Sequence, residues 1–486
     1  MHYVILGLFI VVMILVGVFS SRRIKTTDDF VLGGRKMGAW LSAFSYGTTY
    51  FSAVVFVGYA GRYGWSFGLS ATWIGIGNAV IGSLLAWLLL AERTRRISLT
   101  LNVNNMADFF GRRYDSKGLE RFAALIIFVF LIPYSASVYQ GLGHIFVRFF
   151  AGTPLENLKL SMLLMAVITA IYLYFGGYIS TAINSLIQGI IMLFGTGYMV
   201  WKVLDIIGGL QAGREALAAN SAVADGSLAS ATGPAPFDLL ILLLMTSVGT
   251  LGLPQMVSKF KGIRDRKTAR RATVMSTIFA LIIGGGAYFM GGFSRVLNQK
   301  LGLGFEQGSN LDTLMPLIFE SLLTKEFMAV LVVLMLSASM STLASIVLVS
   351  APTFSKTILK KDNMKILRLL SIGFVFISWL VAVIPSAIVT LMAFSWGAVS
   401  GSFIGPYIWG LYSRKITRFG ATAGMCSGLL TVLIGATAAF IQNSQTAASW
   451  SPRLAVLAMA VSLVITPMAS LISQKWSKIP EGAKAL

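Results

Sequence analysis

The sequence predicts an all-α integral membrane protein with thirteen transmembrane helices, and three observations lead to this fold class. Of the 486 residues, 56% are hydrophobic and only 12% are charged, whereas soluble proteins carry about 25% charged residues. The charges fall in short clusters between apolar runs of about twenty residues, the length that crosses a hydrocarbon core as a helix. The 39 Lys and Arg residues, against 18 Asp and Glu, are concentrated in alternate loops.

Thirteen hydrophobic segments follow one another along the chain and are numbered here in order. Their approximate bounds are 2–20, 39–61, 66–92, 122–149, 157–176, 178–204, 236–258, 272–297, 326–354, 366–386, 388–412, 419–441 and 452–473. Segment one is predicted to be a retained helix, because Arg22, Arg23 and Lys25 follow it, whereas a signal peptide has basic residues before its apolar run. No loop is long enough for a soluble domain, so residues 1–486 are predicted to form one polytopic membrane domain.

The distribution of Lys and Arg predicts the orientation. If the amino terminus lies outside, 30 of the 39 basic residues fall on the cytoplasmic side. The cytoplasmic pieces would be about 21–38, 93–121, 259–271, 355–368, 413–418 and the tail from 474. Because cytoplasmic loops carry the excess of Lys and Arg, we expect an outer amino terminus and a cytoplasmic carboxyl terminus in the plasma (inner) membrane. The net charge of +21 therefore indicates membrane topology and not nucleic-acid binding.

Two segments interrupt their own apolar patterns near the middle of the membrane. Segment two contains FSYGTTYFS at 44–52, and segment seven contains MTSVGTLGLPQ at 245–255. The predicted topology runs these segments in opposite directions, and paired interruptions of this kind indicate an inverted-repeat transporter with its site at the midplane. A broken helix frees carbonyl and amide groups that can bind ions and solute. Either motif alone is also compatible with close helix packing.

Segment nine carries a third polar pattern, in which Ser341 and Thr342 lie one helical turn after the carbonyl of Ala338. Oxygen ligands without carboxylates suit a weakly held monovalent cation better than a transition metal. Small hydroxyl residues also allow helices to approach closely, so this pattern alone leaves both readings open. No Asp, Glu, Lys or Arg falls near the predicted centre of any span, which favours coupling to Na⁺ over a proton relay.

Five motifs in order give the chain a family resemblance. They are DDFVLGGR at 28–35, FGGY at 175–178 followed by Gln188-Gly189, Gly249…Gly252-Leu253-Pro254-Gln255, Met340-Ser341-Thr342, and Gly405-Pro406…Gly410-Leu411-Tyr412. With these motifs the chain resembles the sodium:solute symporter family, with the pantothenate and proline symporter branches nearest. The resemblance implies Na⁺-coupled import of a small organic solute (pantothenate-, monocarboxylate- or amino-acid-like) by alternating access.

The resemblance also implies a leucine-transporter-type fold with a five-plus-five inverted repeat. The first repeat would be segments two to six, at 39–204, and the second would be segments seven to eleven, at 236–412. One extra helix at 2–20 precedes the repeats, and two carboxyl-terminal helices at 419–473 follow them. This assignment places the two interrupted segments at corresponding positions of the two repeats.

The residues that the resemblance implies for binding fall in the same segments. A sodium site would use the backbone carbonyls of Thr48, Phe51 and Ala338 and the hydroxyls of Ser341 and Thr342. The candidate solute contacts are Tyr50, Ser52, Trp73, Gln140, Thr246 and Thr250. For Trp73, a lipid-facing or core-packing aromatic is an equal alternative.

Two departures from the family pattern sharpen these expectations. Ser185 stands where many members have an Asp, which argues against a second sodium site and predicts one Na⁺ per solute. Thr246 and Thr250 stand where proline-type members have Trp and Tyr, which weakens an assignment to proline.

Other classes of protein fit the sequence less well. The alternative function is an H⁺-coupled transporter or a channel of a different fold; the basic loop 262–271 superficially resembles that of major-facilitator transporters, and a channel would need a filter or charge rings. An enzyme is not expected, because the spans carry no catalytic dyad and the chain has only two histidines, His2 and His144. The predicted partners are the solute, Na⁺ and the lipid bilayer, without nucleic acid; the oligomeric state stays open.

Overall fold

The fold was analysed in a computed structural model that describes residues 2–21, 37–175, 177–220, 226–306, 308–384, 386–475 and 479–485. Across these ranges the chain is helical, and its one pairing of extended backbone is an isolated bridge between Met37 and Ile263. The predicted motif at 28–35 and Gly176 of the FGGY motif lie outside the described residues.

The described residues of the first half of the chain form ten α-helices. They are α1 (His2–Ser21), α2 (Ala39–Tyr50), α3 (Ala60–Phe67), α4 (Thr72–Gly77), α5 (Glu92–Thr100), α6 (Met106–Arg113), α7 (Lys117–Phe149), α8 (Leu158–Phe175), α9 (Tyr178–Ile207) and α10 (Gly209–Ala218). Wider π-helical turns continue some of them, at Val54–Tyr59, Asn78–Leu85 and Trp87–Ala91.

The second half of the chain also contains long and short helices. It contains α11 (Pro236–Val248), α12 (Pro254–Lys261), α13 (Arg266–Ala280), α14 (Gly286–Gly292), α15 (Ser294–Lys300), α16 (Leu314–Leu322), α17 (Lys325–Thr357), α18 (Met364–Ala382), α19 (Ile388–Tyr412), α20 (Arg418–Gln442) and α21 (Ser444–Ser473). Helix α10 lies in the stretch between segments six and seven, which the hydrophobic pattern leaves outside the predicted spans.

Every predicted segment has a helical counterpart, although not all of them qualify as spans by length and apolarity. Nine helices in the described part of the chain are long and apolar enough to cross a membrane, or ten if the bent pair in segment seven is one span. One of the nine runs from Val54 to Thr100 and covers the end of segment two and the whole of segment three. Two shorter apolar helices, Tyr3–Phe19 and Leu158–Tyr174, correspond to segments one and five. The structure is therefore an all-helical membrane protein.

The centre of the molecule is α17, in which every residue from 331 to 353 is buried. Its middle is rich in Ser, Ala and Thr, and such small residues let neighbouring helices approach closely in a membrane. The outer helices instead expose large apolar side chains such as Phe194 (78% exposed) and Ile441 (81% exposed). An apolar exterior around a partly polar centre is the arrangement expected when lipid is the surrounding solvent.

Close backbone contacts join the two halves at glycine. A Cβ atom built on Gly64 would lie 2.0 Å from the carbonyl carbon of Gly291, so α3 and α14 touch through their backbones. Any side chain at either position would force these helices apart. The carboxyl-terminal helices are attached by side-chain hydrogen bonds, including one of 2.8 Å from Trp409 Nε1 to the carbonyl of Leu463.

Candidate functional site

The interruption in segment two lies where the sequence predicted it. Helix α2 ends at Tyr50, Phe51 has extended backbone (φ −106°, ψ 120°), and helical backbone resumes at Ala53. The free amide of Ala53 donates to Ser339 Oγ of α17 at 3.0 Å, while the amide of Val54 donates to Ser52 Oγ at 3.3 Å. The break is therefore held by a hydroxyl of another helix as well as by its own serine.

Segment seven is also interrupted, and its two parts are bent by 48°. A short 3₁₀ turn at Gly249–Gly252 follows α11, Leu253 is extended, and α12 begins with Pro254. Proline fits the first turn of a helix because its missing N–H has no partner there in any case. Both interruptions predicted from the sequence are thus present in the structure.

Four of the five predicted sodium residues meet between α2 and α17. Thr342 Oγ1 lies 3.1 Å from the carbonyl oxygen of Ala338, 3.1 Å from that of Thr49 and 3.3 Å from that of Thr48. Ser341 Oγ lies 2.7 Å from the hydroxyl of Thr48. All these groups are buried. The contacts bring together oxygen atoms from the end of one broken helix and from the centre of the molecule.

The fifth predicted residue, Phe51, lies at the break itself. Its carbonyl accepts no hydrogen bond from the described residues, as expected for a group freed by a helix interruption. No contact of this carbonyl with Ser341 or Thr342 appears among the described residues, so its role in a sodium site stays a prediction.

Two serines extend the oxygen cluster. Ser185 Oγ of α9 lies 2.8 Å from Ser341 Oγ, and Ser345 Oγ lies 2.9 Å from the hydroxyl of Thr49. Ser185 lies on the neighbouring helix α9, and Ser345 lies on α17 one turn after the predicted ligand Ser341. The cluster consists of neutral oxygens, and a neutral cage of carbonyl and hydroxyl groups fits a small monovalent cation that must be released again.

Lys259 is the unexpected member of this region. The sequence analysis placed it at the start of the cytoplasmic loop 259–271, but its side chain is buried and its Nζ donates to Ser345 Oγ at 2.8 Å. The reason for the difference is the bend in segment seven, which turns α12 inward against α2 and α17. A lysine that hydropathy assigns to a loop therefore lies beside the sodium candidates.

Three of the six predicted solute contacts lie together near the break in segment seven. Tyr50 donates its hydroxyl to the carbonyl of Thr246 at 2.7 Å, so this bond joins the two interrupted segments. Thr246 Oγ1 donates to Asn78 Oδ1 at 2.8 Å. Thr250 Oγ1 bonds to the carbonyls of Ser247 at 2.8 Å and Gly82 at 3.2 Å. Tyr50, Thr246 and Thr250 therefore line one buried polar region between segments two, three and seven.

The other three predicted contacts lie elsewhere. Ser52 accepts the local hydrogen bond at its own helix break. Gln140 of α7 donates to the carbonyl of Ala382 at 3.0 Å, and its buried Oε1 has no partner among the described residues. The indole of Trp73, 47% exposed, donates to the carbonyl of Ala231 in the stretch before α11. The structure does not bring Trp73 into contact with the Tyr50 region.

Cavities open toward opposite ends of this centre. The larger one, about 350 Å³, lies beside Arg62, Tyr63, Asp238, Thr390 and Arg453. The smaller one, about 10 Å³, lies beside Asn105, Tyr178, Ser258, Lys259 and Ser345, and holds at most about one water molecule. The cavity beside Arg62 is therefore much the larger of the two, and neither cavity is lined by Tyr50, Thr246 or Thr250.

Two further residues, Asn78 and Tyr46, belong to the Tyr50 region and are not among the candidates predicted from the sequence. Asn78 accepts hydrogen bonds from both Thr246 and Ser247, and Tyr46 donates to the carbonyl of Gly82 at 2.6 Å. Asn78 is the one amide side chain within segment three, and a lone amide in an apolar span is a usable signal because an unpaired amide is costly there. Tyr46 gives no comparable signal, since aromatic residues are common throughout the chain.

Comparison of the sequence with known proteins identifies the family to which the chain belongs. The profile of the sodium:solute symporter family matches residues 30–428. The osmoregulated proline transporter of Bacillus subtilis is 25% identical over 453 residues, covering 90% of this chain and 89% of that relative. The sodium/proline symporter of Escherichia coli is 25% identical over 437 residues, covering 87% and 85%.

Solved structures support the same fold. A Na⁺-coupled sialic acid symporter in a substrate-bound outward-open state superposes with a TM-score of 0.75 at 18% identity, covering 96% of this chain and 98% of that one. A nucleobase-cation-symport-1 family transporter in a closed conformation gives a TM-score of 0.55 at 15% identity, covering 94% and 98%. These transporters have the leucine-transporter-type fold. The chain belongs to the sodium:solute symporter family and is a multi-pass membrane symporter of a small organic solute with Na⁺ as its coupling ion.

Proposed function

We propose that one Na⁺ binds between the break in segment two and helix α17, and that this binding completes the site for the imported solute. The ligands would be the carbonyls of Thr48, Phe51 and Ala338 and the hydroxyls of Ser341 and Thr342. A cation at this position links a broken helix to the central helix, so its binding would order the break beside the Tyr50 region. That link is the physical basis of the coupling.

One observation carries this proposal. Thr342 Oγ1 lies 3.1 to 3.3 Å from three carbonyl oxygens that belong to two different helices. A hydroxyl has one proton and can donate well to one acceptor at a time. The three carbonyl oxygens therefore share only one proton from this hydroxyl, and their dipoles create a negative potential at this point. A small cation would be stabilised by that potential.

The architecture that we propose around this site has thirteen spans. Segments two to six and seven to eleven would be the inverted repeats at 39–204 and 236–412, preceded by the helix at 2–20 and followed by the pair at 419–473. In support, both repeats would begin with a helix that is interrupted halfway. The amino terminus would lie outside and the carboxyl terminus in the cytoplasm, as the distribution of Lys and Arg indicates.

With this orientation, the larger cavity beside Arg62 faces outward and the small one beside Lys259 faces the cytoplasm. The conformation would then be one that is open outward and nearly sealed inward. Alternating access would require the inner cavity to widen while the outer one closes, around a site that stays near the midplane. Solute and Na⁺ would leave past Lys259 and Ser345.

The driving force sets a scale for transport. A single Na⁺ that enters with a net-neutral solute gains about 2.3 kcal/mol from 100 mV and about 1.4 kcal/mol from a tenfold gradient. Together these terms sustain an accumulation of roughly several hundredfold. A second Na⁺ would square that ratio, so the accumulation limit reports the stoichiometry.

The solute that we propose is small and carries at most one negative charge. The Tyr50 region offers hydroxyls, amide groups and aromatic rings, and no charged side chain hydrogen-bonds to Tyr50, Thr246, Thr250 or Asn78 among the described residues. Amino acids such as proline, which the two relatives transport, fit this description, as do pantothenate and short monocarboxylates. Thr246 and Thr250 disfavour proline itself if the family's Trp and Tyr contact that solute.

The test is uptake of radiolabelled solutes into proteoliposomes, with proline, a second neutral amino acid, pantothenate and a short monocarboxylate as the panel. With the transported solute in hand, Ser341→Ala and Thr342→Ala should each raise the sodium concentration for half-maximal uptake by about tenfold, since each removes one ligand worth about 1.4 kcal/mol. Uptake should follow the sodium gradient and not a proton gradient imposed without sodium.

A matched control lies on the same helix. Ser350 is a buried serine of α17 whose hydroxyl has no partner among the described residues, so Ser350→Ala should leave the sodium dependence unchanged. Normal sodium dependence in the Ser341→Ala, Thr342→Ala double variant would remove this site. Equal uptake under a proton gradient alone would contradict sodium coupling in this chain.

A further inference from the structure

Lys259 is a buried lysine near the centre of a membrane protein. Its side chain is 2% exposed, its Nζ donates to Ser345 Oγ at 2.8 Å, and it lies 5.4 Å from the centre of the Tyr178 ring. No carboxylate lies within ion-pair distance of it among the described residues. An ammonium group taken out of water without a counter-charge costs free energy, so its position calls for a physical explanation.

The lysine is one hydroxyl away from the proposed sodium ligands. Ser345 Oγ, which accepts from Lys259, also lies 2.9 Å from the carbonyl of Ser341 and 2.9 Å from the hydroxyl of Thr49. Ser341 supplies a proposed ligand hydroxyl, and the carbonyl of Thr49 faces Thr342. A positive charge on Lys259 therefore acts on the same oxygen atoms that would hold Na⁺.

The oxygens between the lysine and the sodium site are neutral. Ser185, Ser341 and Ser345 form a cluster in which Ser185 Oγ lies 2.8 Å from Ser341 Oγ. Hydroxyls and the face of an aromatic ring are the groups that stabilise an ammonium without neutralising it. Among the contacts that the structure describes, Lys259 is thus the one group around Ser185, Ser341 and Ser345 that can carry a charge.

We propose that Lys259, in its protonated form, is an internal cation beside the sodium site. Its positive charge takes the place of a cation at the Ser185–Ser341–Ser345 oxygen cluster. It therefore prevents a second Na⁺ from binding there and weakens the binding of the transported Na⁺. This inference rests on the proposed sodium site. It gives two reasons for a stoichiometry of one Na⁺ per solute: the positive charge of Lys259, and the absence of a carboxylate at position 185. The Lys259 charge also lies beside the inner cavity, through which Na⁺ would leave, and there it repels the departing ion.

The alternative is that Lys259 only ties α12 to α17 through its hydrogen bond to Ser345. The two roles predict different results when the charge is removed and a hydrogen-bond donor is kept. A tether would be preserved by a neutral amide, whereas an internal cation would be lost. Lys259→Gln and Lys259→Met therefore separate the two roles.

The first experiment measures binding of ²²Na⁺ to the full-length protein in detergent, without solute or transport. Both Lys259→Gln and Lys259→Met should bind Na⁺ at least about tenfold more tightly than the unaltered protein, because removing a like charge within about 12 Å gains about 1.4 kcal/mol or more at an effective dielectric constant of about 20. Lys259→Arg keeps the charge and should bind Na⁺ as the unaltered protein does. Lys261 is equally buried on α12 but two positions along, which points it to the opposite side of the helix, so Lys261→Met should leave the affinity unchanged.

The second experiment asks whether the lysine excludes a second ion. Ser185→Asp restores a carboxylate next to Ser341, and with Lys259 present this carboxylate should pair with the ammonium, leaving the Hill coefficient for Na⁺ at about 1. In the double variant Ser185→Asp, Lys259→Met the carboxylate has no internal partner, and the Hill coefficient should approach about 2. The charge moved per solute, obtained from reversal potentials in proteoliposomes, should rise by about one elementary charge in the double variant only.

The results distinguish this inference from the sodium site on which it rests. The two serine and threonine substitutions should weaken Na⁺ binding, whereas loss of the lysine charge should strengthen it. If Ser341→Ala weakens binding but both neutral Lys259 variants bind Na⁺ as the unaltered protein does, the sodium site stands and the internal cation is wrong. A Hill coefficient of about 2 in Ser185→Asp alone would equally contradict it.

Discussion

The two interrupted helices look alike in sequence, but they are held in different ways. The break in segment two depends on α17, because the amide of Ala53 donates to Ser339 and the carbonyls of Thr48 and Thr49 face Thr342. The backbone turn of segment seven is closed by its own residues, although Thr246 and Thr250 also bond to Asn78 and Gly82 of segment three. The residues of segment seven close a 3₁₀ turn at Gly249–Gly252, and Pro254 begins the next helix without needing a donor.

This difference separates two tasks that a symporter must couple. A break whose polar groups are satisfied by another helix changes when that helix moves or when an ion enters between them. A break that is satisfied locally can keep its shape while its surroundings rearrange. We therefore expect the segment-two break to respond to Na⁺ and the segment-seven break to act as a preformed part of the solute site, with Tyr50 as the bond between them.

The largest effect should come from removing the hydroxyl that α17 supplies to the segment-two break. Ser339→Ala leaves the buried amide of Ala53 without its acceptor, and an unsatisfied buried donor costs about 1–3 kcal/mol. We expect a lower free energy of unfolding, measured by thermal unfolding of the purified protein in detergent. The half-saturating sodium concentration should rise as well, because the break is less well ordered.

Ser337 provides the control for this substitution. It lies two positions earlier on α17, it is fully buried, and its hydroxyl has no partner among the described residues. Ser337→Ala removes the same atom without orphaning an amide, so it should change neither stability nor sodium dependence appreciably. Equal effects of the two substitutions would show that the Ala53 contact has no special role.

A smaller effect is expected when the bond between the two breaks is removed. Tyr50→Phe loses the hydroxyl that donates to the carbonyl of Thr246 at 2.7 Å, and a typical hydrogen bond of this kind contributes about 0.5–1.5 kcal/mol. Because the bond joins segments two and seven, both sodium and solute dependence of uptake should change. Kinetics of uptake in proteoliposomes at varied sodium and solute concentrations would measure the two effects separately.

Tyr46→Phe is the matched control for that bridge. The hydrogen bond that its hydroxyl donates ends on the carbonyl of Gly82 in segment three, at 2.6 Å, whereas the bond that Tyr50 donates ends on Thr246 in segment seven. The cost in stability should be similar to that of Tyr50→Phe, but the coupling between sodium and solute should persist. If coupling between sodium and solute were lost in Tyr46→Phe but kept in Tyr50→Phe, the coupling bond would belong to Tyr46 and the prediction for Tyr50 would be wrong.

The sequence was most informative where a residue type breaks the pattern of its own segment. Gly47 and the hydroxyls around it, and Gly249 to Pro254, are poor choices for uninterrupted apolar helices, so both breaks could be predicted. Local chemistry determines where a helix breaks, and local chemistry is visible in a sequence. That the hydroxyls of Ser341 and Thr342 face the segment-two break was implied by the family resemblance and not by the local pattern, and the structure brings them there.

Features that depend on how helices bend and rotate were harder to predict. Lys259 follows an apolar run, as cytoplasmic lysines do, and only the 48° bend of segment seven shows that it is buried. Gln140 and Trp73 lie in segments whose polar faces depend on their neighbours, and they contact Ala382 and Ala231. Hydropathy gives the length and order of spans, but the rotation of each helix is set by packing.

The smallest effect on stability, and the most specific effect on solute, should come from Thr250→Val. The hydroxyl of Thr250 bonds mainly to Ser247 in its own turn, and the carbonyl of Gly82 keeps its bond to Tyr46. Since no buried group is left without a partner, the cost should stay below about 1 kcal/mol. If the segment-seven break is a preformed part of the solute site, the half-saturating solute concentration should rise while the half-saturating sodium concentration stays constant. A sodium shift as large as that of Ser341→Ala would instead mean that both breaks sense the ion, and the distinction between them would fail.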